Sequence, residues 1–336
     1  FDALASFDLP YNQAPSLHIV LLMILWDFYR RRVDGWALIL LHAWSVLIGI
    51  SVLTTYQHHA IDVPTGILAG ALCMWLWPLD GSTPWQRWRQ DGVRHDLALC
   101  YALAAVLLSV GAVVLGASWS PVAWGLWWPA VALLMVALAY AGLGHGAFQK
   151  QASGRHAVAA RILLAPYRWL AWFNARCWTW RLPASVEVCD GVWLGRLPLP
   201  WERDHVHFEQ VLDVTAELDC PHDGVVSVPM LDLLVPSPAR LHEAARHLMA
   251  CRDDRSGPVL VCCALGFSRS AAVMLTWLCL SGRVSSLDQA VAMLRQKRPQ
   301  VVLSPDLLRA VDSAIRLQPM AHSDLRTSLV FKGERA

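Results

Sequence analysis

The sequence predicts a multi-domain chain: an all-α transmembrane helical bundle followed by an α/β domain. Three observations carry that prediction. Charged residues are scarce through residues 1–145 and ordinary after about 185. The first part holds apolar stretches close to the roughly 20 residues that a spanning helix needs. From 186 onward, short β-rich runs alternate with amphipathic helical ones, the pattern of a sheet covered by helices.

The 336 residues carry a formal net charge of +2, which leaves no basic surplus for a nucleic-acid partner. Seven of the nine cysteines lie between 177 and 279 without paired spacing. They read as reduced thiols rather than a disulfide framework. No motif calls for a metal or a cofactor. The chain opens at Phe1 without a signal-peptide pattern, and a preceding segment is expected.

Four stretches are expected to span: 35–55, 60–78, 97–117 and 121–143. The segment 16–29 is shorter and carries His18 and Asp27. Trp36, Trp75, Trp77 and Trp119 sit near the ends of these stretches, where an amphipathic ring suits an interface. Arg30, Arg31 and Arg32 precede the first stretch, and Arg87, Arg89 and Arg94 follow the second. Lys150, Arg155 and Arg161 follow the last. The positive-inside rule puts all three clusters, and everything after about 145, in the cytoplasm. The turn around Thr54–His59 then faces the other way. The bilayer is therefore the first expected partner.

Residues 146–185 alternate basic and aromatic side chains (Arg161, Trp169, Trp172, Arg176, Trp178). They are expected either to lie on the inner leaflet as an amphipathic helix or to pack on the soluble domain. That domain occupies 186–320, with a tail over 321–336. Strands are expected at Val192–Leu197, Val211–Thr215, Val225–Met230 and Pro258–Cys262. Ser237 and Pro238 open a helix to about Cys251, and a second helix covers Ser270–Leu280.

Between the last strand and that helix lies Cys263-Ala264-Leu265-Gly266-Phe267-Ser268-Arg269-Ser270. Successive backbone N–H groups and a helix N-terminus bind a phosphate dianion, and Gly266 permits the curl. Arg269 can fork two phosphate oxygens. The same positive field favours a nucleophilic thiolate at the head of the loop. Gly266, Ser268 and Ser270 are the expected substrate-binding residues. Asp232 lies four residues before Pro236 and thirty-one before Cys263.

These residues resemble the cysteine-based protein-tyrosine and dual-specificity phosphatase superfamily, over about 186–317. The Leu194–Pro198 and Gln296–Pro299 stretches add to the likeness. The resemblance implies that Cys263 is the nucleophile, Arg269 the phosphate ligand and Asp232 the general acid, with Ser270 assisting thiol release. Asp213 and Glu217 are rival carboxylates. The family usually has His before the nucleophile, and this chain has Cys262. That change lowers reactivity, or lets Cys262 form a protective disulfide with Cys263. The loop 264–268 has no Lys or Arg, which points to a singly phosphorylated lipid or protein as substrate.

Two polar clusters interrupt the apolar part. One is Pro15-Ser16-Leu17-His18. The other is Ser51, Thr54, His58 and Asp62, running into Gly66 and Gly70. His58 and Asp62 are four residues apart and share a helical face. Ionisable groups at membrane depth are costly and mark function. Together these clusters resemble the type 2 phosphatidic acid phosphatase superfamily, in its inositol-phosphorylceramide and sphingomyelin synthase-like branch, over about 10–80. The resemblance implies that His58 attacks phosphorus, Asp62 orients it, His18 protonates the leaving group and Ser51 helps hold substrate. The family's third motif has Arg where this chain has Val52, and its first motif is absent from the chain.

The chain as a whole resembles bacterial fusions of the two families. The function that follows is a bifunctional inner-membrane phosphatase, with a lipid-headgroup site at the outer face and a cysteine-dependent phosphomonoesterase at the inner face. With a hydrocarbon core about 30 Å thick between them, the two sites are expected to act independently. The alternative is a membrane-anchored phosphate-binding regulatory module with weak or lost catalysis.

Overall fold

The structure is a computed structural model that describes residues 14–317, apart from 56, 57, 80, 82, 90, 199–205, 221, 255 and 256. The tail expected over 321–336, the start of the first expected domain and part of the Thr54–His59 turn lie outside the described residues.

The helical part begins with α1 (Leu17–Tyr29), whose N-cap Ser16 accepts a bond from the Ile19 N–H. α2 (Gly35–Thr54) and α3 (Asp62–Leu76) follow. α1 and α3 run side by side because Gly66 and Gly70 leave no side chain between them. A Cβ on Gly66 would stand 2.8 Å from that of Ile19, the close approach that small residues permit in apolar surroundings. α4 (His95–Ser118) leads through a 3₁₀ turn at Pro121–Leu126 to α5 (Trp127–Leu138). A π turn, Ala139–Leu143, and a 3₁₀ turn, Gly144–Phe148, close this part.

Among the described residues, three helical stretches are long and apolar enough to cross a membrane: Gly35–Thr54, His95–Ser118 and the composite Pro121–Phe148. The second expected span, 60–78, is the shorter, 15-residue α3. Asp62 caps its start by accepting from the His59 N–H. Trp77, which precedes Pro78, leaves the helical region at the other end, as a residue before proline tends to do. α2 and α4 keep most of their apolar side chains exposed; in α2 only Val52 is buried. Exposed apolar surface on this scale marks a contact with a membrane or with another protein.

α6 (Val158–Leu163) and α7 (Ala165–Thr179) form the connection. α6 packs into the helical core beside Met74, Trp75 and Met135. α7 divides its surface. Ala171 and Ala175 pack on the α/β domain, whereas Trp169, Phe173 and Trp178 are exposed. The segment therefore has both a face seated on the soluble domain and an aromatic face left open.

The α/β domain has a five-stranded sheet in the order β1-β2-β5-β3-β4. The strands are β1 (Ser185–Cys189), β2 (Val192–Arg196), β3 (Gln210–Thr215), β4 (Val225–Met230) and β5 (Val259–Cys263). β1 pairs antiparallel with β2 and the rest are parallel. β5 is central and buried along its whole length, as its unbroken apolar run requires. α8 (Pro238–Asp254), α9 (Arg269–Leu280), α10 (Leu287–Lys297) and α11 (Pro305–Arg316) cover one face, and α7 covers the other.

The connection also penetrates the α/β domain. Lys150 is fully buried and forms an ion pair with Asp213. It also donates to the Thr215 and Leu218 carbonyls at 2.8 and 2.7 Å. Removing one partner of a buried pair leaves an uncompensated charge, at about 3–5 kcal/mol. Lys150→Met is therefore expected to lower the thermal midpoint of the full-length chain, and adding Asp213→Asn should restore part of the loss.

Candidate active site

The phosphate loop lies between β5 and α9, at the carboxyl end of the parallel strands, where open α/β sheets bind ligands. Gly266 has φ +75°, and a Cβ there would stand 2.5 Å from the Gly195 carbonyl. Only glycine lets the loop curl against β2. The Cys263 Sγ sits on the loop floor and accepts from the Gly266 N–H and the Ser270 hydroxyl, each at 3.2 Å. Ser268 precedes α9, with its side chain making no capping bond.

Arg269 is buried, and its Nη1 and Nη2 donate to the two Glu217 carboxylate oxygens at 2.9 and 2.6 Å. Nη1 also donates to the Met230 carbonyl at 2.8 Å, and Nη2 lies 3.2 Å from Asp232 Oδ1. Its Nε is buried without a hydrogen-bond partner among the described residues. A buried donor left open is costly, and an oxygen of a bound phosphate would satisfy it. Burial works to raise the Glu217 pKa, but the Arg269 charge and hydrogen bonds outweigh it and hold the carboxyl below its ordinary range.

Asp232, expected as the acid, is half-exposed on the loop after β4, beside Arg269. Its rivals have other partners: Asp213 is bound to Lys150, and Glu217 is locked on Arg269. Cys262 and Cys263 face opposite sides of the sheet, Cys262 towards the α7 side and Cys263 towards the α9 side. A bond between them would have to undo the alternation of β5, which disfavours the alternative of a Cys262–Cys263 disulfide, and both thiols are free in the structure. Burial pushes the Cys262 thiol well up, reinforced by the neighbouring Cys220 and by the charge of Asp213. Cys262 is thus a protonated core residue rather than a second nucleophile.

Sequence reasoning did not assign roles to Glu217 as partner of Arg269, or to Arg298. The latter is buried behind the loop, donates to the Leu265 carbonyl at 3.4 Å and stacks on Phe267 at 5.5 Å. The Gln296–Pro299 stretch was the only local signal for it.

In the helical part, the two polar clusters come together at the start of α1 and α3. His18 Nδ1 and His58 Nε2 are 3.3 Å apart, and His58 Nδ1 is 3.2 Å from Asp62 Oδ2. Ser51 is not drawn into this group: its hydroxyl donates to the Ile48 carbonyl at 2.8 Å. His59 enters through its backbone N–H, and His42 accepts from the Trp26 indole.

A cavity of about 820 Å³ separates the helical part from the α/β domain. Trp26, Ile67 and Leu68 line one side, and Arg161, Trp172 and Leu197 line the other. One of these, Leu197, donates its N–H to the Cys263 carbonyl at 2.8 Å; residues 263–270 do not line the cavity.

Residues 198–313 match the family described as Dual specificity phosphatase, catalytic domain. That part of the chain is a dual-specificity phosphatase domain. The match leaves the helical part outside it. No curated protein matches the chain. Among solved structures, Tk-PTP in its active form is 25% identical over 40% of this chain and 99% of its own, with a TM-score of 0.36. PTPMT1 in complex with PI(5)P is 19% identical over 40% and 95%, TM-score 0.34. Human DUSP28 is 22% identical over 39% and 93%, TM-score 0.34.

Glu217→Gln tests how Arg269 is held in this phosphatase domain. A misplacement of about 1 Å costs on the order of 100-fold in rate, so aryl-phosphate turnover should fall about 10- to 100-fold. A carboxyl with a depressed folded pKa stabilises the fold above its unfolded value, about 4.3, and loses that contribution as pH falls through the folded value. Denaturation of the variant across that acidic range should accordingly show a shallower loss of stability than the wild type.

Proposed function

We propose that the chain is a membrane-embedded, cysteine-dependent phosphomonoesterase whose phosphatase domain works at the cytoplasmic face on a phospholipid. One observation carries the catalytic reading. The sulfur of Cys263 holds two donors at the floor of the loop, while the Nε of Arg269 stays buried and open beside it. A module that only bound phosphate would need neither that sulfur nor Asp232 next to it.

The reaction runs in two balanced steps. The thiolate of Cys263 attacks phosphorus, the ester P–O bond breaks, and Asp232 gives its proton to the departing oxygen. Arg269 and the loop N–H groups carry the charge on the other phosphate oxygens. The carboxylate of Asp232 then takes a proton from water, whose oxygen attacks phosphorus. The S–P bond breaks, and the Ser270 hydroxyl donates to the thiolate as it departs.

A lipid substrate is supported by the cavity between the two parts, one of whose lining residues, Leu197, pairs through its backbone with Cys263. Its walls are apolar on the helical side, and Arg161, Arg168 and Arg176 outnumber its carboxylate, Asp219. Such a cavity suits an acyl chain with an anionic head. The cytoplasmic orientation rests on the arginines of residues 30–32, 87–94 and 155–161.

A second reaction is favoured by the His18–His58–Asp62 geometry. With Asp62 holding a proton on His58 Nδ1, the Nε2 lone pair is free and directed towards His18. Attack of Nε2 on a lipid phosphate would break the P–O bond to the headgroup or glyceride oxygen. His18 would supply the proton to that oxygen, and water or another alcohol would then break the P–N bond.

Both readings are tested on the full chain in lipid nanodiscs. Cys263→Ser should abolish hydrolysis of an aryl phosphate and of phosphatidate at the cytoplasmic face, whereas Cys262→Ser should retain measurable turnover. Equal loss in the two variants rejects Cys263 as nucleophile. His58→Ala should remove headgroup turnover that survives Cys263→Ser; absence of any such turnover in the wild type rejects the second site.

A further inference from the structure

The loop that carries Asp232 is held by residues of the helical part, not by the phosphatase domain alone. The Tyr140 hydroxyl donates to the Asp232 carbonyl at 2.9 Å, and Arg94 Nη1 donates to the Leu233 carbonyl at 2.8 Å. These two anchors are tied to each other, because the Arg94 N–H donates to the Tyr140 carbonyl at 2.9 Å. Tyr140 lies in the π turn Ala139–Leu143, a widened helical turn of the kind that recurs at functional sites. Its ring is 2% exposed and is stacked on Tyr101, with centroids 5.6 Å apart and planes 5° from parallel.

Leu233 has φ +55°, a conformation that a leucine adopts only when its surroundings over-determine it. The Arg94 bond falls on the carbonyl of that residue. Leu231 and Leu234, on either side, pack into the helical-part core with Met74 and Trp75. At the far end of the loop, Arg240 Nη2 lies 2.6 Å from His145 Nε2, and His145 is in turn held by Asp91. The general-acid loop is thus gripped along its length by the far domain.

We infer that Tyr140 and Arg94 are positioning residues for the general acid. They fix the backbone of 232–233 so that the Asp232 carboxyl faces the phosphate loop, and they make proton delivery depend on the seating of the membrane helices. This inference rests on the reading of Asp232 as the acid. It makes the phosphatase sensitive to the state of the helical domain.

The test isolates protonation of the leaving group by reading kcat/KM, which covers the steps up to P–O cleavage and leaves out the phosphocysteine hydrolysis common to both esters. A nitrophenolate departs without a proton, whereas an alkoxide requires one. Full-length wild type, Asp232→Asn, Tyr140→Phe, Arg94→Ala and the Asp232→Asn/Tyr140→Phe double variant are compared in nanodiscs on p-nitrophenyl phosphate and on an alkyl phosphate. Tyr140→Phe keeps the stacked ring and removes one oxygen, and turnover of the aryl ester reports on folding. Its kcat/KM on the alkyl ester should fall roughly two- to tenfold, the kinetic equivalent of one neutral hydrogen bond, with kcat/KM on the aryl ester little changed. Arg94→Ala should show the same selectivity, and the double variant should be no worse than Asp232→Asn alone. An unselective loss in Tyr140→Phe, no loss, or additive losses in the double variant would overturn the inference while Asp232 remains the acid. If Asp232→Asn itself fails to discriminate between the two esters, the acid assignment falls, and the positioning role falls with it.

Discussion

A guanidinium buried away from water must be met by negative charge, and the catalytic centre is assembled around that requirement at Arg269. Glu217 meets it from the end of β3, the Met230 carbonyl from the end of β4, and Asp232 from the loop beyond. The phosphate loop and the first turn of α9 are fixed on the other side by the same residue. The ends of two strands are thereby tied to the helix that follows Cys263. The Arg269 Nε is buried without a partner among the described residues. Pairing of this kind contributes less to net stability than to geometry, because desolvating both charges costs nearly what their attraction returns.

The same balance governs how the two parts of the chain meet. Their contact is not a simple apolar docking. Lys150 enters the phosphatase domain to reach Asp213, and Arg168 and His156 converge on Asp219. Tyr140 and Arg94 cap carbonyls of the acid loop. Buried polar groups require their partners at defined distances, so the relative position of the parts is specified more narrowly than by apolar packing. A truncation at about 186 would strip the phosphatase domain of Lys150, His156 and Arg168 together, leaving Asp213 and Asp219 without their counter-charges.

The polar group at the start of α1 and α3 depends on a different constraint. Gly66 and Gly70 remove the side chains that would hold the two helices apart. His18 comes within hydrogen-bond reach of His58 because of that close packing, and Asp62 takes up the other imidazole nitrogen. Two residues without side chains thus set the geometry of three with chemistry.

By itself the sequence determined the elements whose signals are local. The run Cys263–Ser270 announces strand, curled loop and helix within eight residues, and the structure has that strand, loop and helix, with Ser270 bonded to the Cys263 sulfur. The strand Val225–Met230 and the helix opening at Ser237-Pro238 were legible for the same reason, as was the pairing of His58 with Asp62 one helical turn apart. The Asp232 loop was legible in position but not in what holds it. Only the tertiary structure decided the partners that lie far apart along the chain: Glu217 for Arg269, Lys150 for Asp213, and Tyr140 and Arg94 for the acid loop. It also decided that the helix in 60–78 runs only from Asp62 to Leu76 and that Cys262 turns away from Cys263. The physical reason is common to all of these. Periodicity and capping express interactions between residues a few positions apart. A counter-charge or a buried hydroxyl leaves no periodic trace of which distant carbonyl or carboxylate it will meet, because that choice is made only when the layers close on one another.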